Sequence, residues 1–309
     1  MKILGIGNAI VDVICKVNDD FLTLNNLMKG TMKLIFNESE FNKLLKSVKI
    51  EKTISGGSVA NSIVGLAQLD NEVGFIGKIS DDKFGIKYEE GLKKESVSFL
   101  YTKKKEVLPT GTCLILVTPD SERTMCTYLG TAGKINENDI DSNIISKSKM
   151  IFLEGYLWDE GEPKKAFDKA IKSAKRKAMS LSDQFCVDRH KIHFLELVKN
   201  ELDITFANEN EIISLIDAKS FEDVINFAKQ IKKHLVITRG SNGSIVIKED
   251  QVVEHPANSN LKIVDLTGAG DLFAAGYLHG LINDLPIKKC LNQGTILSSK
   301  IIQTLGARL

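Results

Sequence analysis

The amino-acid sequence predicts an α/β fold in which a mainly parallel central sheet is flanked by helices and carries a small β-sheet lid. Short apolar runs with strand character alternate with segments of helical spacing over most of the 309 residues. Such alternation is typical of a parallel sheet covered on both faces. Two regions, 13–36 and about 97–131, instead show strand and turn patterns without helices, and they predict the lid.

The central sheet and its helices follow from hydrophobic periodicity. Short apolar runs bounded by turn residues predict buried strands, and apolar side chains three and four positions apart predict amphipathic helices. The predicted strands cover 3–6, 73–76, 150–153, 179–181, 204–207 and 235–238, and the predicted helices cover 57–69, 84–94, 163–179, 193–200, 221–232 and 271–282.

The lid is predicted from a β-hairpin pattern. Residues 112–118 form an apolar and β-branched run, 119–123 form a turn, and 124–129 form a second strand. No Pro- or Gly-rich linker separates this region from the rest, so we expect an insertion and not a tethered domain. The predicted α/β core comprises residues 1–12, 37–96 and 132–309, and the lid comprises 13–36 and 97–131.

Composition and charge exclude several functional classes. Hydrophobic residues make up 43% of the chain and charged residues 26%, as in ordinary globular proteins. The formal net charge of +1 creates no bulk field that would attract nucleic acid or a membrane surface. We find no apolar run near the roughly 18 residues of a membrane span, and no signal-peptide pattern at the N-terminus.

The five cysteines bear on the cellular compartment. They are scattered and form no CxxC pair, so neither a disulfide framework nor a zinc knuckle is indicated. We therefore expect a cytoplasmic protein that has no nucleic-acid or membrane partner.

The sequence DLTGAGD at 265–271 is the strongest candidate for a functional site. A strand-like run, 261–264, leads into this turn, and the turn opens a helix. A helix N-terminus offers unpaired N–H groups and partial positive charge, which suit a phosphate. Asp271 would lie beside that anion as a general base. The alternative is that Asp271 only caps the helix, but the close glycines and the small residues that follow exceed what a cap requires.

Two further positions are candidates for binding hydroxyl groups. Residues 56–61, GGSVAN, open a helix, and the Asn61 amide can both donate to and accept from a hydroxyl. Asp12 follows the first strand, where its carboxylate can accept hydrogen bonds from two sugar hydroxyls. A plain turn residue is an equal alternative for Asp12.

Two strand ends carry polar or glycine-rich turns. NENE at 208–211 follows the strand 204–207, and such strand ends are where open α/β sheets place ligands and magnesium-bound water. A helix cap is the alternative. The turn from Thr238 through Gly240 to Gly243 fits either a nucleotide phosphate or a simple hairpin.

Together these motifs resemble the PfkB (ribokinase-like) family of carbohydrate and nucleoside kinases over essentially the whole chain. GGSVAN at 56–61 and GFIGKISDDKFG at 74–85 are similar to the family's N-terminal signature. DLTGAGD is similar to its C-terminal signature, with Leu266 where the family usually has Thr, and NENE matches its N-x-x-E motif. The resemblance implies a ribokinase-like fold and ATP-dependent phosphoryl transfer.

The resemblance also implies a role for each matching residue. Asp271 would deprotonate the acceptor's hydroxymethyl group, the amides of Gly268, Ala269 and Gly270 would form an anion hole, and Arg123 would contact phosphate or substrate from the lid. The implied substrate-binding residues are Asp12, Gly56, Gly57, Ser58 and Asn61, and the implied nucleotide-binding residues are Asn208, Thr238, Gly240, Gly243 and Thr267.

Metal ions are implied in the same way. Asn208 and Glu211 would order Mg²⁺ and its waters, and Asp265 would help to hold a monovalent cation, for which K⁺ is the candidate. ATP and Mg²⁺ are therefore the expected cofactors.

Within the family, the sequence is most similar to the adenosine-kinase branch. GNAIVD at 7–12 and GGSVANS at 56–62 differ from the GGKGAN that is usual in ribokinase. We therefore expect an adenosine-like nucleoside as acceptor, with a sugar such as ribose or fructose as the alternative. Tyr156 and Trp158 are candidates for stacking on a base, although packing is their commoner role. Exposed lid strands would also allow a homodimer.

Two other functional classes are compatible with single features. Gly5 and Gly7 resemble a dinucleotide-binding turn, but Ile10 occupies the third glycine position and no helix opens there, which disfavours an NAD-dependent oxidoreductase. An inactive binding relative is the other alternative. Retention of Asp271 and both neighbouring glycines favours an enzyme.

Overall fold

The computed structural model describes residues 1–120, 122–159 and 161–309. Over these ranges the strands form one sheet of nine strands and one of five. Among the same residues, no helix is both long and apolar enough to cross a bilayer.

The large sheet confirms the predicted mainly parallel arrangement. Its strands are β1 (Ile3–Ile6), β5 (Val73–Ile76), β6 (Ser98–Phe99), β9 (Met150–Glu154), β10 (Lys177–Ser180), β11 (Ile204–Asn208), β12 (His234–Thr238), β13 (Ser244–Lys248) and β14 (Gln251–His255). They lie in the order β14-β13-β12-β11-β10-β9-β1-β5-β6. All neighbours from β6 to β12 are parallel, and β13 and β14 extend the sheet as antiparallel strands.

The second, smaller sheet confirms the predicted hairpin. Its strands are β2 (Ile10–Lys16), β3 (Met32–Leu34), β4 (Ile50–Ser55), β7 (Gly111–Val117) and β8 (Arg123–Tyr128), in the order β3-β8-β7-β2-β4. Strands β7 and β8 are antiparallel, with Val117 opposite Arg123. Ser121, in the predicted turn, lies outside the described residues.

The predicted boundary between core and lid differs from the strand pairing at three places. Residues 10–12 were predicted as core, but they begin β2 of the small sheet. Strand β4 falls within the predicted core, but it pairs with β2 in the small sheet. Strand β6 falls within the predicted lid, but it pairs with β5 in the large sheet. Both are edge strands without a continuous buried apolar run, so hydrophobic patterning does not assign them. That the small sheet acts as a lid stays a prediction.

Most of the helices cover the two faces of the large sheet. They are α1 (Asp19–Leu24), α2 (Glu38–Ser47), α3 (Ser58–Ala67), α4 (Lys83–Lys94), α5 (Ser142–Lys147), α6 (Glu162–Ser173), α7 (Gln184–Glu196), α8 (Glu209–Ile216), α9 (Phe221–Ile231), α10 (Ala269–Ile282) and α11 (Ile287–Ile301). Side chains of α3, α4, α10 and α11 form one hydrophobic core with Ile3. Side chains of α5 to α9 form a second core with Leu4 and Ile6. Successive side chains of β1 point to opposite faces of the large sheet, so this strand contributes to both cores.

One helix lies where none was predicted, and two helix predictions were wrong in extent. Helix α1 lies in the region expected to lack helices, where the Asn18 side chain caps it by accepting from the Phe21 N–H. Helix α6 ends at Ser173, well before the predicted end, and β10 begins soon afterwards. Helix α7 begins earlier than predicted, where Asp183 accepts from the Cys186 N–H, and a π-helical turn continues it to Glu201.

The strand-like run 261–264 is not a strand. Ile263 is 62% exposed and Val264 is 49% exposed, and neither belongs to either sheet. Their apolar side chains line the approach to α10 without a neighbouring strand, so β-propensity alone does not produce a strand here.

Candidate active site

Polar side chains gather at the carboxyl ends of the parallel strands. Glu154 ends β9, Asn208 ends β11 and Thr238 ends β12. Open α/β sheets bind ligands outside this edge. Three neighbouring cavities lie here, and we name them the small-sheet cavity, the central cleft and the hairpin cavity.

Each cavity has its own walls. The small-sheet cavity, about 350 Å³, lies between the small sheet, α3 and segment 305–309. The central cleft, about 350 Å³, lies over the N-terminus of α10. The hairpin cavity, about 570 Å³, lies beside the turn between β12 and β13. The central cleft and the hairpin cavity are adjacent, because both are lined by Thr238, Leu266, Ala269, Gly270 and Phe273.

Asp271 lies in the first turn of α10, at the wall of the central cleft. Its Oδ1 accepts from Ser58 Oγ at 2.6 Å, and its Oδ2 accepts from Asn61 Nδ2 at 3.0 Å. Burial raises the pKa of Asp271 to about 6, while the two hydrogen bonds and the Arg308 charge act against this rise. The carboxyl is therefore ionised at neutral pH and suited to accept a proton.

The turn before Asp271 presents free backbone donors to the cleft. Gly268 has a φ of 80°, and a Cβ there would lie 2.8 Å from the Ala307 Cα, so the position requires glycine. The N–H groups of Gly268 and Gly270 donate to no described residue. The Ala269 N–H donates to the Leu266 carbonyl at 3.2 Å, so its expected place in an anion hole is not supported.

The loop before α3 rests on Asp12 and Asn8. A Cβ on Gly56 would lie 2.4 Å from Asp12 Oδ2, and a Cβ on Gly57, whose φ is 99°, would lie 2.3 Å from the Asn8 carbonyl oxygen. Only glycines allow this approach. Burial raises the pKa of Asp12 to about 7, against the nearby charges of Arg308 and Arg123. Asp12 and Asn61 both line the small-sheet cavity.

Arg123 connects the small sheet to the turn at 265–271. Its Nη1 lies 2.9 Å from Asp265 Oδ2, and both side chains are 9% exposed. Asp265 also accepts from the Thr267 N–H and Oγ and from the Gly306 N–H, at 3.0, 2.7 and 2.8 Å. The carboxylate is already neutralised by a guanidinium, so these residues do not fit a monovalent cation bound to Asp265. Thr267 lines the small-sheet cavity, and not the hairpin cavity that its expected nucleotide role requires.

Asn208 and Glu211 form a capping box at the start of α8. Asn208 Oδ1 accepts from the Glu211 N–H at 2.9 Å, and Glu211 Oε2 accepts from the Asn208 N–H at 2.9 Å. Both residues also line the central cleft with Asp271. Burial raises the pKa of Glu211 to about 7. The capping interpretation is thus correct, and the same oxygen atoms are chemically suited to magnesium-bound water.

The hairpin cavity brings together the glycine-rich turn residues. Thr238, Gly240 and Gly243 all line it. Gly243 has a φ of 83°, and a Cβ there would lie 2.1 Å from the His255 carbonyl oxygen. The cavity wall contains more apolar than polar surface and includes Phe273, which suits a flat organic ring.

Sequence reasoning missed Glu154. This side chain is 1% exposed, and its Oε1 accepts from Asn8 Nδ2 at 3.1 Å while its Oε2 accepts from the Val59 N–H at 3.0 Å. Burial raises the pKa of Glu154 to about 7, and hydrogen bonds from the Val59 and Asn8 backbones act against it. Its position at the end of a buried parallel strand was the available signal.

The two aromatic residues after β9 do not form a base-stacking pair. Trp158 is 2% exposed and packs against the rings of His190, His193 and Phe194. The Tyr156 hydroxyl donates to Asp183 Oδ2 at 2.8 Å, and Tyr156 lines the central cleft. Packing, the commoner role, is the one that Trp158 has.

Comparison with known proteins identifies the family of the chain. The model of the pfkB family carbohydrate kinases matches residues 23–309. Adenosine kinase 2 of Arabidopsis thaliana is 27% identical, covering 98% of this chain and 94% of that protein. The crystal structure of adenosine kinase from Sinorhizobium meliloti has a TM-score of 0.90 and 34% identity, covering 100% of this chain and 95% of that one.

A second solved structure is equally similar. It is that of a probable sugar kinase from Rhizobium etli, with a TM-score of 0.90 and 33% identity, covering 99% of this chain and 94% of that one. These likenesses confirm the ribokinase-like fold and its adenosine-kinase-like branch. The chain therefore belongs to the pfkB family of carbohydrate kinases and is a phosphotransferase that uses an alcohol group as acceptor.

Proposed function

We propose that this chain transfers the γ-phosphoryl group of ATP to the hydroxymethyl group of an adenosine-like nucleoside. The position of Asp271 is the observation that carries the proposal. Its carboxylate is held by Ser58, which lines the central cleft, and by Asn61, which lines the small-sheet cavity. The base therefore lies where an acceptor in one cavity meets a phosphoryl group in the other.

The chemistry follows from alignment and charge, because phosphoryl transfer needs little covalent help from the protein. Asp271 accepts the proton of the attacking hydroxyl. The N–H groups of Gly268 and Gly270 donate to the phosphoryl oxygens. Arg123 lines the small-sheet cavity, and its buried Nε and Nη2 have no hydrogen-bond partners among the described residues, so it can donate to the acceptor bound there.

The two substrates occupy different cavities in this proposal. Acceptor hydroxyls bind in the small-sheet cavity to Asp12 and Asn61, which Gly56, Gly57 and Ser58 support. The nucleotide occupies the hairpin cavity beside Thr238, Gly240 and Gly243, close to the capping residue Asn208.

Magnesium is the metal that the central cleft fits. Asn208 and Glu211 supply an amide and a carboxylate on the cleft wall that holds Asp271, and they would orient waters of a bound Mg²⁺. The ion would neutralise charge on the phosphates when bound. We do not propose a K⁺ ion at Asp265, because Arg123 already pairs with that carboxylate.

A sugar kinase is the second candidate. The observation that favours it is that the probable sugar kinase from Rhizobium etli has the same TM-score as the adenosine kinase from Sinorhizobium meliloti. Both candidates share the base, the anion hole and the donor cavity, so they differ only in what the small-sheet cavity accepts.

An acceptor panel decides between the two candidates. ADP release is measured with ATP and Mg²⁺ against adenosine, other nucleosides, ribose and fructose, each with and without K⁺. We expect adenosine to be the best acceptor and K⁺ to have little effect. Turnover of ribose or fructose without turnover of adenosine would establish the sugar kinase instead.

The assignment of the base has its own test. Replacing Asp271 by Asn keeps the side chain's size and removes the proton acceptor, so kcat should fall by about 10²–10⁴-fold. ATP binding, measured by calorimetry, should be retained. The matched control is Asp284→Asn, at an exposed turn residue with a φ of 58°, which should leave kcat unchanged. Near-normal turnover of Asp271→Asn would remove Asp271 from the mechanism.

A further inference from the structure

Segment 305–309 is fastened to the turn that opens α10. The Gly306 N–H donates to Asp265 Oδ2 at 2.8 Å. Ala307 packs against Gly268, where a Cβ would lie 2.8 Å from the Ala307 Cα. The segment therefore has a fixed position beside the catalytic turn, and it carries Arg308 into the wall of the small-sheet cavity.

The Arg308 side chain reaches the residue that holds the base. Arg308 Nε donates to Asn61 Oδ1 at 3.1 Å, and Nδ2 of the same amide donates to Asp271 Oδ2 at 3.0 Å. An amide has one accepting end and one donating end. The contact with Arg308 therefore fixes which end of Asn61 faces Asp271.

A second nitrogen of Arg308 has no partner. Its Nη2 is buried and forms no hydrogen bond within the described part of the chain. A buried cationic donor without an acceptor is costly, and such groups occur where a ligand or water completes them. Arg308 lines the small-sheet cavity together with Asp12.

The charges around Arg308 indicate what it would bind. Burial raises the pKa of Asp12 to about 7, and Arg308 is the strongest charge acting against this rise. The cavity wall thus offers a guanidinium donor and a carboxyl acceptor close to each other. A hydroxyl group fits both, because it donates and accepts at once. A carboxylate group fits less well, because it would lie beside Asp12 and Asp271.

We propose that Arg308 is a further acceptor-binding residue, whose Nη2 donates to a hydroxyl oxygen of the bound acceptor while its Nε holds the Asn61 amide towards Asp271. This inference rests on the proposed phosphoryl transfer to a nucleoside or sugar. It adds a residue that lies outside both signature motifs and that arrives from a separate segment of the chain.

The test compares the wild type with Arg308→Ala, Arg308→Lys and the control Arg189→Ala. Arg189 is a half-exposed residue that pairs with Asp159 and lines none of the three cavities. For Arg308→Ala we expect the KM of the best acceptor in the panel to rise roughly tenfold or more, with the KM of ATP little changed. Arg308→Lys should recover part of this loss, and Arg189→Ala should match the wild type.

Deoxy analogues of the acceptor show whether the contact is direct. In the wild type, one single-deoxy analogue should lose at least the factor in KM that the Arg308→Ala variant loses. In Arg308→Ala, removing that hydroxyl should raise KM less than it does in the wild type, because only the hydrogen bond to Asp12 is left to lose. Additive losses for every analogue would overturn the proposal.

The pH dependence of kcat separates binding from a merely structural role. Arg308 favours the ionised form of Asp271, so its removal should move the acid limb of the kcat profile to higher pH.

An unchanged acceptor KM in Arg308→Ala would overturn the proposal. A wild type that turns over no nucleoside or sugar would instead contradict the proposed function itself.

Discussion

At the residue scale, the site is built from buried carboxyl groups whose proton affinity is raised. Asp12, Glu154 and Asp271 lie around the loop that precedes α3, and burial is the largest cause of the raised pKa in each. Hydrogen bonds and two arginines limit that rise. The balance keeps Asp271 ionised near neutral pH and protonated in mild acid.

This balance predicts the pH dependence of turnover. With a pKa of about 6, Asp271 loses its ability to accept a proton as pH falls through 6, and activity falls with it. We expect the kcat/KM of the acceptor to decline below about pH 6, since this parameter reports groups of the free enzyme. A profile that stays flat down to pH 5 would contradict the assignment of Asp271 as base.

Glu154 is predicted to act on stability as well as on the site. Replacing it by Ala leaves the Val59 N–H and the Asn8 amide without their acceptor, which should cost about 1–3 kcal/mol of unfolding free energy per unsatisfied group. Glu154→Gln keeps one accepting oxygen and should cost less. Urea unfolding of both variants measures the difference, and equal stability of Glu154→Ala and the wild type would argue against this role.

At the element scale, the N-termini of α3 and α10 meet face to face around the site. Each begins with a glycine of positive φ, Gly57 before α3 and Gly268 before α10. Neither helix has a side-chain cap. Their first turns instead direct N–H groups to Glu154 and to the central cleft. The site therefore uses backbone donors that a capping side chain would otherwise satisfy.

Glycine substitutions test this interpretation of the two helix starts. Gly57→Ala places a Cβ 2.3 Å from the Asn8 carbonyl oxygen, so we expect lower stability and loss of turnover together. Gly270→Ala meets nothing within 4 Å and faces both the cleft and the hairpin cavity. It should therefore fold normally and raise the KM of ATP. Thermal melting and steady-state kinetics of both variants check these expectations. A destabilised Gly270→Ala with an unchanged KM of ATP would contradict the interpretation.

At the scale of the whole molecule, the site connects the two sheets. The Arg123–Asp265 pair joins the small sheet to the catalytic turn, and segment 305–309 joins that turn to α3 through Arg308. The homodimer through the small sheet and the cytoplasmic location stay predictions. Exposed apolar side chains near the small sheet, Met28 and Phe36 among them, are the surface that a homodimer would bury.

The buried carboxyls also predict how stability of the ligand-free protein depends on pH. Asp12, Glu154 and Glu211 have a pKa of about 7 and Asp271 of about 6 in the folded state, whereas unfolded carboxyls titrate near 4. The folded state thus binds more protons between about pH 4 and 7, and its stability falls as pH rises through this window.

Two histidines change the pH dependence of stability in the opposite direction, but their combined effect is smaller than that of the four carboxyls. Burial lowers the pKa of His234 to about 3 and also lowers that of His279. The contribution of these two residues to the stability of the folded protein is therefore lost as pH falls. With four carboxyls against two imidazoles, we expect the melting temperature to be higher at pH 5.5 than at pH 7.5. Glu211→Gln should reduce the difference, and a higher melting temperature at pH 7.5 would contradict this expectation.

Much of the fold and part of the site were predictable from the sequence. Periodicity depends on neighbours along the chain, so the parallel strands, most of the helices and the hairpin of β7 and β8 follow from it. The motifs at 56–61 and 265–271 identify Asp271, Ser58 and Asn61 for the same reason, since each motif is local. Helices α1, α2, α5, α8 and α11 were missed. Helices α1 and α5 have six residues each, which is too short for a hydrophobic repeat, and the side chains of Asn18 and Asp141 cap them.

What only the tertiary structure decided is which distant residues meet. Glu154 and Arg308 are separated from Asn61 by 93 and 247 positions along the sequence, and no local pattern connects them. The structure also pairs Asp265 with Arg123, which argues against the cation expected there. The sequence by itself determined the chemistry, because that chemistry lies in short motifs at helix starts. The three-dimensional fold decided the charge and the walls of the acceptor cavity, because burial and long-range contacts set both.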